Sequence, residues 1–188
     1  MLPSATPDEL ADAIAECLEA GAHIVNLSLT IARPALRPEA RLAEVLDAAA
    51  HRGTVVVAAA GNRAAVGGCG HTGHRWVVPV VACNVLGAPL RGSTLSASAG
   101  RHGVAAPGMV TSLSLDGTRA TREGSSFAAA LVTGTLGLLM STVPTASAAA
   151  ARAAVLSSGQ RPRRAVMPPL LDALAAHRTL AATMERRR

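Results

Sequence analysis

The chemically loaded residues of this chain stand far apart along it. Ser126 lies in Glu123-Gly124-Ser125-Ser126-Phe127-Ala128-Ala129-Ala130-Leu131-Val132-Thr133-Gly134, where a small-residue turn runs into a helix that carries no charge until Arg152. A hydroxyl in the first turn of such a helix sits among unpaired backbone N–H groups, at the positive end of the helix dipole. That setting suits a nucleophile whose product state is an oxyanion. A lone Gly-Ser-Ser would serve equally as a plain N-cap. Asn62 follows Gly61 at the end of the apolar run Val56 to Ala60. Its carboxamide is either an oxyanion donor or an ordinary left-handed turn residue. A third polar segment, Asn26-Leu27-Ser28-Leu29-Thr30, ends an earlier apolar run.

These three segments meet only if the intervening elements form an open parallel sheet, whose sites lie beyond the carboxyl ends of the strands. The pattern fits. Thr6-Pro7-Asp8-Glu9 is a capping box with Pro at the first helical position, followed by the stripe Leu10, Ile14, Cys17, Leu18 and a stop at Gly21. His23 to Leu29 reads as a buried strand, and Pro34 and Pro38 punctuate the loop after it. Glu39 to Arg52 repeats the helical pattern through Leu42, Val45, Leu46 and Ala49, while Thr54–Ala59 and Val77–Ala82 read as further strands. Helices alternating with short apolar strands predict an α/β fold, a parallel doubly wound sheet with helices on both faces. From Gly87 the texture turns to Gly, Ser and Pro with short strands. Asp116-Gly117 predicts a hairpin between Val110–Leu115 and Arg119–Glu123. Helices are then expected from Ser126 to about Met140, from about Thr145 to Ser157, and around Leu170–Leu180.

With 188 residues, the chain is read as one domain over 1–188 with a basic tail at about 184–188. Trp76 and Phe127 are its only aromatic residues, so the core must be built from Ala, Val and Leu. The net charge of +6 is concentrated in Arg161, Arg163 and Arg164 and in Arg186, Arg187 and Arg188. Without aromatic residues nearby to stack on bases, these clusters read as solvated ends, and no nucleic-acid partner is expected. The uncharged span 124–151 is long enough to cross a membrane, but Gly134, Gly137 and Pro144 interrupt it, so a core helix is expected and no membrane association. No basic segment followed by an apolar run opens the chain as a signal peptide would, and nothing assigns a compartment. Cys17 reads as a core position; Cys69 and Cys83 flank one loop, and the sequence leaves open whether they pair.

Taken in order, these segments resemble the subtilisin-like serine proteases (subtilases). The resemblance rests on four blocks: Val25-Asn26-Leu27-Ser28-Leu29, the strand end Val56 to Asn62, Ala106-Pro107-Gly108, and Gly124 to Ala130. It implies Ser126 as nucleophile, Asn62 as oxyanion donor beside Gly61, and Ser28-Leu29-Thr30 as the edge on which an extended peptide or protein substrate pairs. Ser125, Phe127, Ala130 and Thr30 depart from the family's Thr, Met, Pro and Gly. The family commonly uses calcium, so the resemblance leaves calcium open, but no acidic loop supplies several oxygen ligands; no metal site is identified and no other cofactor is expected.

The larger departure concerns the acid–base pair. Subtilases order their triad Asp, His, Ser. Only 22 residues precede the first matching strand, and they read as one helix. The resemblance therefore implies that Asp and His come from a missing N-terminal portion or a partner chain. His51 closes a helix; His71 and His74 read as surface residues of a Gly-rich loop; His102 reads as part of a turn, and His23 as a solvated strand start. Gly124-Ser125-Ser126-Phe127-Ala128 also approximates the nucleophile elbow of α/β-hydrolases, with Asp172 and His177 following. Those two share one expected helix, and the last motif position is Ala. Three readings emerge: a subtilase-type serine endopeptidase, inactive as this chain alone; a non-catalytic peptide-binding module of the same fold; and a basic interaction protein.

Overall fold

The computed structural model describes residues 5–29, 31, 39–68, 70–159 and 166–186. Helix α1 (Pro7–Glu19) begins at the expected capping box: Thr6 Oγ1 accepts from the Glu9 N–H while the Glu9 carboxylate accepts from the Thr6 N–H. It leads into β1 (Ile24–Leu27), followed by α2 (Ala40–Arg52), β2 (Val55–Ala59), the short α3 (Gly70–Gly73) and β3 (Val78–Cys83). Next come α4 (Ala97–His102), β4 (Val104–Pro107), the hairpin β5 (Met109–Leu113) and β6 (Arg119–Glu123), and α5 (Ser125–Thr142). Helices α6 (Ala148–Ser157) and α7 (Ala173–Glu185) complete the order.

Strands β1 to β4 pair in parallel in that order, with Asn26 opposite Val57, Ala59 opposite Val80 and Ala82 opposite Ala106. The expected doubly wound α/β arrangement is present. One face buries Val56 and Ala58 with Leu10, Ile14 and Leu18 of α1 and Leu42 and Leu46 of α2. The other buries Val55, Val57, Val80, Ala82 and Ala106 against Ala128, Val132, Leu136 and Leu139 of α5 and apolar residues of α6 and α7. Because β2 and β3 are buried on both faces, they read as unbroken apolar runs rather than alternating ones.

Some boundaries differ for local reasons. The sequence missed α4, whose Ser98 and Gly100 dilute any helical pattern; Ser96 caps it through its bond from the Ala99 N–H. His102 accordingly ends this helix rather than sitting in a turn. Helix α6 starts at Ala148 because Ser147 takes the N-cap, and α7 runs past Leu180 to Glu185. Cys83 is a buried free thiol whose pKa desolvation pushes up to about 11, and Cys17 is free and half-buried. Cys69, Arg161, Arg163, Arg164, Arg187 and Arg188 lie outside the described residues.

The two edges of the sheet differ. Residues 169–171 cover β4: the Ala105 N–H donates to the Pro169 carbonyl at 2.8 Å, and the Leu171 N–H to the Ala105 carbonyl at 2.8 Å. Along the outer side of β1 no described residue pairs with Ile24–Leu27, and beyond the strand a single parallel bridge joins Ala5 to Ile31. Behind the sheet, Trp76 Nε1 donates to the Thr54 carbonyl at 2.7 Å. The Arg152 guanidinium lies 4.6 Å from the Trp76 ring centroid and donates to the carbonyls of Trp76 and Arg75.

His71 corrects an expectation. It is 1% exposed rather than on the surface, and neither ring nitrogen has a partner among the described residues. Desolvation pushes its pKa down from 6.5 to about 4. Below pH 6.5 the unfolded chain binds a proton that the folded one refuses, so stability is full above that pH and falls as pH drops. The slope is about 1.4 kcal/mol per pH unit. The loss levels off near pH 4, and urea midpoints at pH 7 and pH 4.5 are expected to show it. His71→Gln should remove much of that difference.

Candidate functional site

At the carboxyl end of β2 the chain turns through Gly61 and Asn62, and several bonds fix that turn. The Thr94 N–H donates to the Gly61 carbonyl at 3.0 Å, and the Arg63 N–H donates to Thr94 Oγ1 at 3.1 Å. The Gly61 N–H donates to Ser125 Oγ at 3.1 Å. Gly61 has φ +112°, and a Cβ there would sit 3.0 Å from Thr94 Oγ1. Only glycine fits that backbone and that space.

Across the gap, Asn62 meets the start of α5. The Ser125 N–H donates to Asn62 Oδ1 at 2.8 Å across 63 residues of sequence. This bond orients the carboxamide and leaves its NH2 unspent: no described residue accepts from Asn62 Nδ2. The Ser126 N–H, in the first turn of α5, is likewise unpartnered among the described residues, as helix geometry dictates. Two donors thus remain available beside a half-buried serine whose hydroxyl makes no hydrogen bond to any described residue. Chemically, such a pair can bind a negatively charged oxygen.

Gly124 makes this approach possible. Its φ is +150°, and a Cβ would stand 3.1 Å from Asn62 Nδ2. Gly124→Ala is expected to cost about 1 kcal/mol or more in stability and to dislodge Asn62, seen as faster hydrogen exchange at the Ser125 amide. Gly117→Ala, in an equally left-handed turn (φ +79°) with open space around it, should leave that amide unchanged.

The third segment joins the same rim. Ser28 Oγ donates to the Ser126 carbonyl at 3.2 Å and accepts from Asn26 Nδ2 at 3.0 Å. Asn26 Oδ1 in turn faces the Thr133 hydroxyl at 3.2 Å. Leu29 is half-buried against the α1–α2 side, while Thr30 lies outside the described residues. The bridge from Ala5 to Ile31 occupies part of this edge with the chain's own N-terminal segment. Sequence reasoning singled out Asn26, Ser28, Gly61, Asn62 and Ser126, but it missed the buried hydroxyls of Ser125 and Thr94 that hold the Asn62 turn. Hydroxyls that bond backbone N–H groups across the fold leave no local pattern to detect.

None of the six imidazoles is hydrogen bonded to Ser126. His51 Nδ1 contacts the Asp47 carbonyl at 2.8 Å, and His74 Nε2 lies 3.3 Å from Asp47 Oδ1. His74 is therefore a half-buried, paired residue and not a surface one; its pKa is lowered, chiefly by burial and also by Arg75, against the opposing pull of Asp47. Asp47 belongs to α2, on the sheet face opposite α5. Asp172 caps α7 through the Ala175 N–H, and His177 lies within that helix, so no separate strand-end loops present them as an α/β-hydrolase requires. Among the described residues, no group of three or more His, Cys, Asp or Glu could hold a metal ion.

Residues 3–173 match the model of the subtilase family. No curated protein matches the sequence. Among solved structures, the protease domain of PatA superposes with a TM-score of 0.87 at 25% identity, over 95% of this chain and 66% of that one. The prenylagaramide maturation protease PagA gives 0.84 at 23% identity, over 93% of this chain and 68% of its own. The PatG macrocyclase in complex with peptide gives 0.79 at 25% identity, over 93% and 56%. The chain thus spans about two-thirds of the length of the PatA domain and little more than half of PatG.

Proposed function

The chain belongs to the subtilase family, and from that premise we propose that it takes part in peptide-bond hydrolysis as the half carrying the nucleophile and the oxyanion donors. In this reading Ser126 Oγ attacks the scissile carbonyl and passes its proton to an imidazole from outside this chain. The Asn62 NH2 and the Ser126 N–H stabilise the oxyanion that forms. Collapse of the tetrahedral adduct expels the amine, which takes the proton back, and water then resolves the acyl-enzyme by the same steps in reverse. Ser28, Leu29, Thr30 and Gly61 would align the extended substrate. The observation that carries this reading is the pair of unspent donors beside the Ser126 hydroxyl.

The hydroxyl's lack of an imidazole partner favours a second reading, a module that binds peptide on the same rim without cleaving it. A fluorophosphonate probe with concentrated imidazole as exogenous base separates the two. Imidazole-dependent labelling that disappears in Ser126→Ala supports the nucleophile. Labelling that is absent, or indifferent to that substitution, supports the binding module.

A further inference from the structure

At the end of the sheet opposite Ser126, where β2 and β3 begin, a cavity of about 450 Å³ opens between α2, the segment entering β3, and α6. Asp47, Ala50, His51, Arg75, Trp76 and Arg152 line it. A space of that size lies within the range of small-molecule pockets. Arg152 comes from α6, which packs with α5 on one face of the sheet, whereas Trp76 packs with α1 and α2 on the other. Three separate elements thus fix the walls, at the seam between the two layers.

The charges in these walls do not balance. Arg152 is half-buried and stacked 4.6 Å from the Trp76 ring centroid, with Nε and Nη2 donating to the carbonyls of Trp76 and Arg75. Those two bonds hold the guanidinium in one orientation. Its Nη1 has no hydrogen-bond partner among the described residues, and no described carboxylate stands within ion-pair distance of it. Taking a guanidinium out of water without a counter-charge is unfavourable, and desolvation pulls its pKa down accordingly. Arg75 is exposed and likewise has no described carboxylate beside it; its charge opposes protonation of the neighbouring His74. The one carboxylate of the lining, Asp47, is engaged through Oδ1 with His74 Nε2 at 3.3 Å. Two positive charges therefore share this space with a single negative one.

We propose that the cavity binds a small molecule through an oxyanion group, a phosphate or a carboxylate, held by Arg152 Nη1 and the Arg75 guanidinium. Guanidinium donors match the geometry of both groups. Because Arg152 is already oriented by its carbonyl bonds, little side-chain freedom is lost when the anion enters. Asp47, in the same wall, repels highly charged polyanions and so favours a ligand of low charge. Binding at this end of the sheet is independent of the chemistry assigned to Ser126.

The full chain, titrated with sodium phosphate or sodium acetate at an ionic strength held constant with sodium chloride, reports on the site through Trp76, its only tryptophan. At least one of the two anions is expected to change the emission saturably with a Kd of about 1 mM or below, and calorimetry should return the same value. The anion that saturates at the lower concentration assigns the group as phosphate or carboxylate. Arg152→Met keeps an apolar stem against the indole, and Arg75→Ser keeps the backbone carbonyl that Arg152 uses. Each should weaken binding about tenfold by calorimetry with an unchanged circular dichroism spectrum. Asp47→Asn should tighten binding about twofold or more, an effect that a purely structural Arg152–Trp76 stack does not produce. No saturation with either anion, a response that chloride reproduces, or an affinity indifferent to both arginine substitutions would each overturn the proposal.

Discussion

Left to itself, the chain is expected to cleave a peptide amide about 10⁶-fold more slowly than a subtilase whose serine is paired with its histidine, the size of the loss known when subtilisin is deprived of its histidine. The reason is the protonation state of the nucleophile. A serine hydroxyl is neutral at physiological pH, and attack requires that its proton leave as the new bond forms. His51 and His74 contact Asp47 across the sheet, and His71 is buried with neither ring nitrogen partnered among the described residues, so none of these reaches Ser126. What survives is the part contributed by oxyanion binding and substrate alignment, worth roughly 10³–10⁴ over water in such enzymes. A fluorogenic peptide assay, with Ser126→Ala as background, compares the chain alone with the chain supplied with concentrated imidazole. Family-like turnover by the chain alone would show that it holds its own base.

The next largest effect is expected at Asn62. With concentrated imidazole as base, Asn62→Ala should lower kcat by about 10²–10³ with little change in KM, the magnitude established for the corresponding donor of subtilisin. Only the transition state places a full charge on the oxygen, so losing the donor affects the chemical step more than substrate binding. Asn62 also supports the fold, because its Oδ1 accepts the Ser125 N–H at 2.8 Å. Asn62→Asp keeps that acceptor and removes the donor, so it separates the two roles. If Asn62→Asp retains near-normal kcat, the oxyanion assignment fails.

The sheet was legible because its strands are short, apolar and separated by amphipathic helices with clear stops. Gly53 ends α2 in the left-handed conformation its position suggests, and Thr6 with Glu9 closes the capping box the sequence spells out. The site was legible where residue type alone restricts the chemistry, as with a carboxamide after a strand and a serine before an apolar helix. Its support was not. Thr94 and Ser125 act through bonds to Gly61, Arg63 and Asn62 that span 31 to 64 residues, and nothing local marks a buried hydroxyl. The burial of His71 was missed for a related reason: a Gly-rich, His-containing segment looks solvated, and only packing removes it from water. That β1 has no partner on its outer side among the described residues was not legible, since a strand of four residues does not itself reveal which side is paired.

The environment of Trp76 has an optical consequence. It is the only tryptophan, and the chain has no tyrosine. Its emission therefore comes from one place, where the indole is hydrogen bonded to Thr54 and overlaid by the Arg152 cation. Phe127, beside Ser126, is too weak an emitter to compete. Fluorescence of this protein will thus follow the amino ends of the central strands and stay dark to rearrangement at their opposite ends. A melting curve recorded that way can look intact while the Asn62–Ser125 junction has already opened.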